Sequence, residues 1–402
     1  MAERNVVFVD GARTGFGRMG GALRDLPSSE LGALAVRGLL KKTGIAERGV
    51  VDCLFSGSAL NDSQTYSPSR YIALAADLPV STSTSYVEMQ CGSAIDAINH
   101  AAWKIKAGCA DVIIAGGQES YSQMYAKFSM AVAPYKLIPP SNITQRYSPR
   151  REDNISMIEI SDAMAERWHI EREACDTFAL RSQQRAAEAT AKGCFLDEII
   201  PVTLPGGKGK PDTVFAVDEH LRPQTTLEDL AALKPVFGPG HVTTAGNASG
   251  RNDGAAFVLM MSEEKAEELG YEPYARWVSC GDYGVEPALM GIGPAYANLI
   301  ALHRAGLDLN DIDVFECNEA FAAQNLSVIA EMESQTGRII DQSKWNPNGG
   351  AIAFGHPNGA SGARVCMFAM KELARRGGRY ALFSSCCGGG LGVATLIENL
   401  KG

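Results

Sequence analysis

The chain has 402 residues, of which 46% are hydrophobic and 21% charged, and it carries a formal charge of −9 at pH 7. This composition is typical of a soluble globular protein that is large enough for two or three domains. The acidic balance, without a long basic run, argues against nucleic-acid binding, and no apolar run is long enough to span a membrane.

The ten cysteines favour a reducing environment rather than a dense disulfide framework. None of them stands in a C-x-x-C pair, so we expect no metal site and no redox motif of that type. The first residues contain neither an apolar signal core nor an amphipathic presequence. We therefore expect a cytoplasmic protein in which a cysteine is free to act as a nucleophile.

Short β-branched segments alternate with helical segments along the first third of the chain. Strands are predicted at VVFVD, VDCLFSG and DVIIAGG, and helices are predicted over about 29–42 and 91–108. This alternation predicts an α/β architecture, and we expect a largely parallel sheet.

The same order of elements recurs later in the chain. Residues 41–59 resemble 303–320, and residues 91–120 resemble 355–390, with an offset of about 260 to 270 residues. Several elements recur in one order, which favours duplication over a chance likeness between two α/β units. The sequence therefore predicts two copies of one α/β domain, with the chemistry where the copies meet.

The middle of the chain belongs to neither copy. It contains a Pro-rich stretch, a helical region and a polar stretch, and these indicate an inserted domain. The predicted organisation is a first copy formed by 1–121 and 248–270, an inserted domain over 122–247, and a second copy over 271–402.

One residue at the start of a predicted helix and one in a loop of small residues are candidates for catalysis. Cys91 begins an Ala-rich helix in QCGSA, where free backbone N–H groups and the positive end of the helix dipole favour a thiolate. His356, in AFGHPNGASGAR, is surrounded by Gly and Ala residues that leave space for a ligand. A cysteine in the core and a structural histidine are the ordinary alternatives.

Two further stretches place polar groups at strand ends. In FECNEAFAAQ a strand ends at Asn318, which either contributes to a site or simply caps the next helix. In SSCCGGGLG the thiols of Cys386 and Cys387 precede three glycines. A glycine run lets backbone N–H groups approach a ligand closely, and such groups can stabilise an oxyanion. The alternative is a glycine turn beside two core cysteines.

Together these stretches resemble the motifs of the thiolase family. QCGSA, AGGQES, AGNASGRNDGAA, NEAFAAQ, NGGAIAFGHPNGASGAR and CCGGGLG occur in the family's order and span nearly the whole chain. The resemblance implies a duplicated βαβαβαββ unit in a layered α-β-α-β-α arrangement, with an inserted loop domain that binds coenzyme A.

The resemblance also implies roles for five positions. Cys91 matches the nucleophile that takes the acyl group, and His356 matches the base that activates it. Cys386 matches the cysteine that moves the proton at the substrate α-carbon, whereas Cys387 is expected to pack. Asn318 matches the residue that holds a water at one oxyanion hole. The amides of Cys91 and Gly388 match the other hole.

The implied activity is that of a CoA-dependent acyltransferase. It would catalyse the reversible Claisen condensation of two acetyl-CoA molecules, or the thiolytic cleavage of a 3-ketoacyl-CoA as in fatty acid metabolism, through an acyl-Cys91 intermediate. Coenzyme A and acyl-CoA enter as substrates, no cofactor is permanently bound, and a homodimer or homotetramer is expected. The implied CoA contacts are Met157, Arg222, Leu233, Phe237, Ser249, Met290 and Phe321.

Two other functions compete with this interpretation. One is another condensing enzyme that acts on CoA thioesters, and the other is a non-catalytic acyl-CoA or lipid-binding protein of the same fold. The joint presence of Cys91, His356 and Cys386 argues against the second. Departures from the family pattern, such as Ser156 in place of a histidine found in some members, leave the preferred acyl length open.

Overall fold

The computed structural model describes residues 4–60, 62, 64–129, 132–133, 135–207 and 209–402. Strands and helices alternate in its first part, which contains β1 (Val6–Thr14), β2 (Gly17–Arg18), α1 (Ser28–Thr43), α2 (Ile45–Arg48), β3 (Cys53–Gly57), α3 (Pro68–Ala75), β4 (Ser83–Val87), α4 (Ser93–Lys106) and β5 (Val112–Ser120).

The described residues in the middle of the chain form short strands and three helices. In order they are β6 (Phe128–Ser129), β7 (Val132–Ala133), β8 (Lys136–Leu137), β9 (Ser141–Asn142), α5 (Met157–Arg167), α6 (Arg172–Ala191), β10 (Ile199–Ile200), β11 (Val202–Leu204), β12 (Thr213–Phe215) and α7 (Leu227–Ala231). Of these strands only β10 joins the large sheet, where it pairs with β1.

The last part again alternates strands and helices. They are β13 (Asn252–Ser262), α8 (Glu263–Glu268), β14 (Ala275–Gly284), α9 (Gly293–Ala305), β15 (Val314–Cys317), α10 (Ala322–Thr336), α11 (Ala351–Phe354), α12 (Asn358–Arg376), β16 (Tyr380–Cys387) and β17 (Leu391–Asn399).

The strand order shows the duplication directly. The large sheet runs β15-β16-β17-β14-β1-β13-β5-β3-β4, so β14-β17-β16-β15 repeats β1-β13-β5-β3 as a second copy. An aspartate sits at the same place in both copies. Asp52 accepts hydrogen bonds from the backbone at the start of β5, and Asp313 accepts them from the backbone at the start of β16. The repeat read from the sequence is confirmed.

The sheet is mixed, so the expected largely parallel sheet is wrong. Only the β3–β4, β3–β5 and β15–β16 pairs along this order are parallel, and the other five are antiparallel. The reason is that each copy ends with a strand that returns antiparallel to its neighbour. In the second copy β17 follows β16 after a tight glycine turn, and in the first copy β13 pairs antiparallel with β5 after the middle segment.

The core separates into layers, as the family resemblance implied. In β5, Ile113 faces a central cluster that contains α4 and α12, whereas Ile114 faces an outer cluster with α1 and α3. In β16, Phe383 faces the same central cluster, and Leu382 faces another outer cluster with α9 and α10. Each copy's strands are thus covered on both faces, and α4 and α12 fill the middle of an α-β-α-β-α stack.

Close backbone contacts place the start of α12 against the first copy. A Cβ on Gly117 would come within 2.1 Å of the Gly359 carbonyl oxygen, and a Cβ on Gly359 within 2.4 Å of the Gln118 carbonyl oxygen. Only glycine permits this approach. It brings the N-terminal ends of α4 and α12 to the same region of the molecule.

A buried ion cluster ties the middle segment to the sheet. Arg13 of β1 is fully buried, with its Nε 2.8 Å from Glu198 and its Nη1 and Nη2 2.7 and 2.9 Å from the Asp218 carboxylate. The two carboxylates satisfy a buried charge that would otherwise be costly, so the middle segment is fixed to the first copy at this point.

Candidate active site

Seven of the predicted site residues line one cavity of about 380 Å³ where the two copies meet. They are Cys91, Met157, Ser249, Met290, Phe321, His356 and Gly388. Two of the other predicted residues, Asn318 and Cys386, are completely buried beside it. Arg222 and Leu233 instead line a neighbouring cavity of about 120 Å³, and Phe237 lies exposed beside His241.

Cys91 lies in a tight turn just before α4. The preceding residue, Gln90, has a φ of 49°, a conformation that is uncommon and strained for a side chain of this type. Ser93 holds the turn, because its hydroxyl accepts from the Met89 N–H at 2.9 Å and donates to the Gln90 carbonyl at 2.6 Å. The strained turn places Cys91 at the cavity wall.

The expected thiolate is not the resting form of Cys91. Burial, followed by the nearby Glu119 carboxylate, raises the pKa of the Cys91 thiol to about 12. The backbone N–H groups of Gly388 and of Cys91 itself lower the pKa of this thiol, but burial raises it by more. Because α4 begins at Ser93, the helix dipole competes here with strong desolvation. Cys91 therefore needs a base to become a nucleophile.

His356 has the tautomer and charge that such a base requires. Burial, followed by the Arg364 guanidinium, lowers the pKa of His356 to about 3, so the ring is neutral. The Ser361 hydroxyl lies 2.6 Å from Nδ1 and donates to the Pro357 carbonyl at 3.0 Å. Since that hydroxyl proton is used, Ser361 accepts from Nδ1–H, and the lone pair is left on Nε2.

Asn318 lies on the other side of the His356 ring. Its Nδ2 is 3.4 Å from His356 Nε2, and its Oδ1 accepts from Arg364 at 3.3 Å. The arginine therefore fixes the amide orientation that presents an N–H to the histidine. Arg364 was not predicted from the sequence, because it lies 46 residues from Asn318 and nothing local links them.

The Arg364 side chain is itself incompletely paired. Two of its nitrogens and both carboxylate oxygens of Glu316 are buried without a hydrogen-bond partner among the described residues. Burial raises the pKa of Glu316 well above its usual range, although Arg364 opposes the shift. Groups of this kind are commonly satisfied by internal water.

The two adjacent cysteines face opposite layers. Cys387 belongs to the central cluster, where its sulfur would lie 2.4 Å from a Cβ on Gly92. Cys386 faces the outer cluster that includes Phe321. Burial, followed by the proximity of Cys91, raises the pKa of Cys386 well above its usual range, so it is a thiol at rest.

The three glycines after Cys387 are required for different structural reasons. A Cβ on Gly388 would lie 2.8 Å from the Tyr147 ring, while Gly389 and Gly390 have φ values of 91° and 92°. The first glycine opens the cavity to a backbone N–H, and the next two make the turn into β17.

Glu119 is a buried acid that sequence reasoning missed. It accepts hydrogen bonds from the Ser58 hydroxyl and the Ala59 N–H, both at 2.8 Å, and from the Gly359 N–H at 3.0 Å. Burial raises the pKa of Glu119 to about 7. It joins the loop after β3 to the start of α12, and so holds the two copies together beneath Cys91. Its place in AGGQES at the end of a strand was the available signal.

Residues 6–264 match the family model described as the thiolase N-terminal domain, and residues 271–399 match the thiolase C-terminal domain. The chain belongs to the thiolase family. The family resemblance read from the sequence is thus confirmed over nearly the whole chain. The cavity of this thiolase is lined by the turn that holds Cys91, by the neutral His356 ring and by the backbone of Gly388.

Relatives of this thiolase carry different substrate names. The 3-oxoadipyl-CoA/3-oxo-5,6-dehydrosuberyl-CoA thiolase of Escherichia coli K12 is 44% identical over 405 residues, covering 99% of this chain and all of the relative. An acetyl-CoA acetyltransferase of Thiocystis violacea is 41% identical over 408 residues, covering 98% of this chain and 99% of the relative.

Solved structures agree with the fold. The Bacillus anthracis acetyl-CoA acetyltransferase superposes with a TM-score of 0.90 at 37% identity, and human mitochondrial 3-ketoacyl-CoA thiolase with a TM-score of 0.90 at 36% identity. Each comparison covers 99% of this chain and all of the other chain.

This thiolase is therefore an acyltransferase that condenses acyl-CoA thioesters and cleaves 3-ketoacyl-CoA thiolytically. CoA thioesters are its substrates rather than bound cofactors. The alternative of a non-catalytic binding protein is set aside by these full-length matches. Within the described part of the chain, no helix could cross a membrane and no group of three or more His, Cys, Asp or Glu side chains could hold a metal ion.

Proposed function

We propose that Cys91 carries the acyl group and that His356 is its base. The observation that carries this proposal is the shared cavity of Cys91, His356 and Gly388. A cysteine with a pKa near 12 is inert alone, and a neutral imidazole can take its proton on Nε2 as the sulfur attacks. The contact of Nε2 with Asn318 Nδ2 is long, at 3.4 Å, so the proton of the thiol can displace it. Both groups are in the required protonation states before substrate binds.

In the cleavage direction, the Cys91 sulfur attacks the 3-keto carbon of the substrate and its proton passes to His356 Nε2. The bond between carbons 2 and 3 then breaks, with the electron pair leaving on the acetyl-CoA enolate. Cys386 donates its thiol proton to carbon 2. The raised pKa keeps Cys386 protonated at rest, which is the form that this donation requires.

The second half-reaction restores both groups. Free CoA gives its thiol proton to the Cys386 thiolate, and the CoA sulfur attacks the acyl group on Cys91. Cys91 leaves and recovers its proton from the His356 imidazolium. Condensation is the reverse sequence, in which Cys386 removes the α-proton of the second acyl-CoA.

Two groups of donors stabilise the oxyanions in this proposal. The N–H groups of Cys91 and Gly388, which already point at the Cys91 sulfur, form one hole. Asn318, held by Arg364, forms the other together with a water and His356. Such preorganised donors act most strongly in a buried site.

We also assign the coenzyme A contacts to two places. Met157, Ser249, Met290 and Phe321 line the reaction cavity and would contact the pantetheine arm. The inserted domain over 122–247 would bind the rest of the molecule. Its proposed contacts are Arg222, Leu233 and Phe237, which lie outside the reaction cavity.

A homodimer or homotetramer in the cytoplasm completes the proposal. Strand β4 is the edge of the large sheet and pairs only with β3 among the described strands, so its other side is available to a second copy. Free thiols at Cys91 and Cys386 work only in a reducing compartment, which favours the cytoplasm.

Peptide mapping after incubation with acetyl-CoA tests the nucleophile. The chain offers ten free cysteines, and we expect one acetyl group, on Cys91, which free CoA removes. Acetylation of another cysteine, or an adduct that CoA does not discharge, would contradict the assignment.

A further inference from the structure

The reaction cavity contains one positive charge and no carboxylate to balance it. Among the described residues that line it, Arg251 is the only one with a permanent charge, since His356 is neutral. This is unexpected in a chain with a net charge of −9. A lone cation beside reacting groups predicts an anion supplied by the substrate.

The backbone at Arg251 is fixed next to the catalytic residues. Its segment forms an isolated parallel bridge with His356, and the preceding Gly250 carbonyl accepts from the His356 N–H at 3.2 Å. On the other side, the Arg251 carbonyl accepts from the Met19 N–H at 3.0 Å. The Arg251 side chain therefore extends from a rigidly held backbone segment beside the proposed acyl site.

The Arg251 guanidinium has no ionic partner in the described part of the chain. No carboxylate of the described residues lies within 4.0 Å of it, and its side chain instead approaches the Tyr121 ring, with Cζ 5.9 Å from the ring centroid. By contrast, Arg13 holds two carboxylates. The side chain is exposed, so it is free to meet a ligand.

Two phenols stand in the same cavity wall. Tyr121 and Tyr147 both line the cavity, and neither hydroxyl has a hydrogen-bond partner among the described residues. Burial, followed by the proximity of Cys91, raises the pKa of Tyr121, so its phenol is neutral and able to donate. A guanidinium in a cavity that also contains neutral phenol donors is a suitable environment for a carboxylate.

We propose that Arg251 selects 3-ketoacyl-CoA substrates whose acyl chain ends in a carboxylate. This rests on the proposed function, in which the reacting carbonyl lies between Cys91 and His356. The phosphates of coenzyme A are separated from that carbonyl by the whole pantetheine arm. An anion bound by a residue bridged to His356 therefore belongs to the acyl end of the substrate.

Thiolysis of 3-oxoadipyl-CoA and of 3-oxohexanoyl-CoA tests the proposal, since these have equal acyl carbon numbers and differ in the terminal group. The readout is the ratio of their kcat/KM values, because a loss of activity that affects both substrates equally cancels in this ratio. We expect the native chain to favour the carboxylate by at least about tenfold, as for one charge-assisted contact. Arg251→Leu should bring the ratio close to one, and Arg251→Glu should make the chain prefer the uncharged substrate. Arg251→Lys should keep part of the preference for the carboxylate.

Exposed Arg37, in α1 on an outer layer of the first copy, provides the matched control: Arg37→Leu should keep the native ratio. A native ratio near one would overturn the proposal. So would a ratio unchanged in Arg251→Leu with a raised KM for free CoA, which would place the arginine on a CoA phosphate. Acetylation of Cys91 by acetyl-CoA is measured in parallel, because its failure would contradict the proposed function rather than this inference.

Discussion

The two copies of the α/β unit share their strand order but divide the chemistry between them. Cys91 lies two residues before α4, and His356 lies two residues before α12, which occupies the corresponding place in the second copy. The duplicated fold thus offers two equivalent positions at the starts of its central helices. One holds a thiol that cannot ionise alone, and the other holds a base that is already neutral.

The strand ends differ in the same way. With Asp52 and Asp313 aligned, Cys386 at the end of β16 corresponds to Gln118 of β5, and Asn318 after β15 corresponds to Gly57. The second copy therefore provides three of the proposed reacting side chains, and the first provides Cys91 and the buried acid Glu119 beneath it. Equivalent backbone positions fix where a group can act, while residue identity decides what it does.

Replacing the group at the first helix start should have the largest effect. Cys91→Ser should lower kcat/KM by at least about 10³-fold, because a serine hydroxyl is a far weaker nucleophile than a cysteine. Intact mass after incubation with acetyl-CoA should show no adduct, and circular dichroism should show an unchanged fold. An acetyl adduct of native yield in the serine variant would remove Cys91 from its proposed role.

The equivalent change in the second copy should be nearly as severe. His356→Gln should lower acyl transfer by about 10² to 10⁴-fold, the usual range for loss of a general base. Because the pKa of His356 is lowered to about 3, the ring stays neutral as pH falls from 8 to about 5, and the native rate of self-acetylation should show no inflection near the ordinary histidine pKa.

Ser361→Ala gives the matched, milder test of the tautomer. It removes the acceptor at Nδ1 but leaves the imidazole in place, so we expect a smaller loss than in His356→Gln. If the native profile titrated with a pKa near 6.5, or if Ser361→Ala were as inactive as His356→Gln, the assigned protonation state would be wrong.

The two adjacent cysteines should separate the half-reactions. Cys386→Ala should retain acetylation at Cys91, which requires no α-proton transfer, and should lose ketoacyl cleavage. Cys387→Ala should keep both reactions within a few-fold, because its sulfur packs against Gly92 and the central cluster and makes only a weak hydrogen bond to the Ser385 carbonyl, at 3.7 Å. The reverse pattern would mean that the other thiol faces the substrate.

The smallest effect concerns Glu119 and stability. Since its pKa is raised from 4.5 to about 7, folding takes up a proton there, and native stability should fall as pH rises from about 4.5 to 7. Glu119→Gln should remove this slope. It should also cost about 1–3 kcal/mol of unfolding free energy, because an amide N–H then faces backbone donors. Thermal melts across this pH range measure both; parallel pH slopes in the two proteins would exclude Glu119 as the titrating group.

Local patterns in the sequence were sufficient for the fold and for much of the cavity. Strand runs, Ala-rich helices and the repeat predicted the duplicated unit, and glycine-rich motifs marked Cys91, His356 and Gly388. The β16–β17 hairpin had a local signal in its glycine turn. The other antiparallel pairs join strands that lie far apart in the chain, and no local pattern records their direction.

The protonation states and supporting contacts were also beyond the sequence. A thiolate at Cys91 was a reasonable inference from a helix start, but desolvation depends on how deeply the turn is buried. Arg364 meets Asn318 only because α12 and the end of β15 pack together. The contact of Ser361 with His356 was the one of these contacts that a local sequence pattern could have predicted, because the two residues are only five positions apart.

The buried contacts of Arg13 with Glu198 and Asp218 bear on how this enzyme could be re-engineered. The middle segment is not a detachable cassette, because its removal would leave a guanidinium without counter-ions inside the first copy. A chimera that takes this segment from another thiolase must bring both acids with it, or replace Arg13 by an apolar side chain of similar size. Grafts that ignore this constraint should fail at expression, before any question of substrate range is reached.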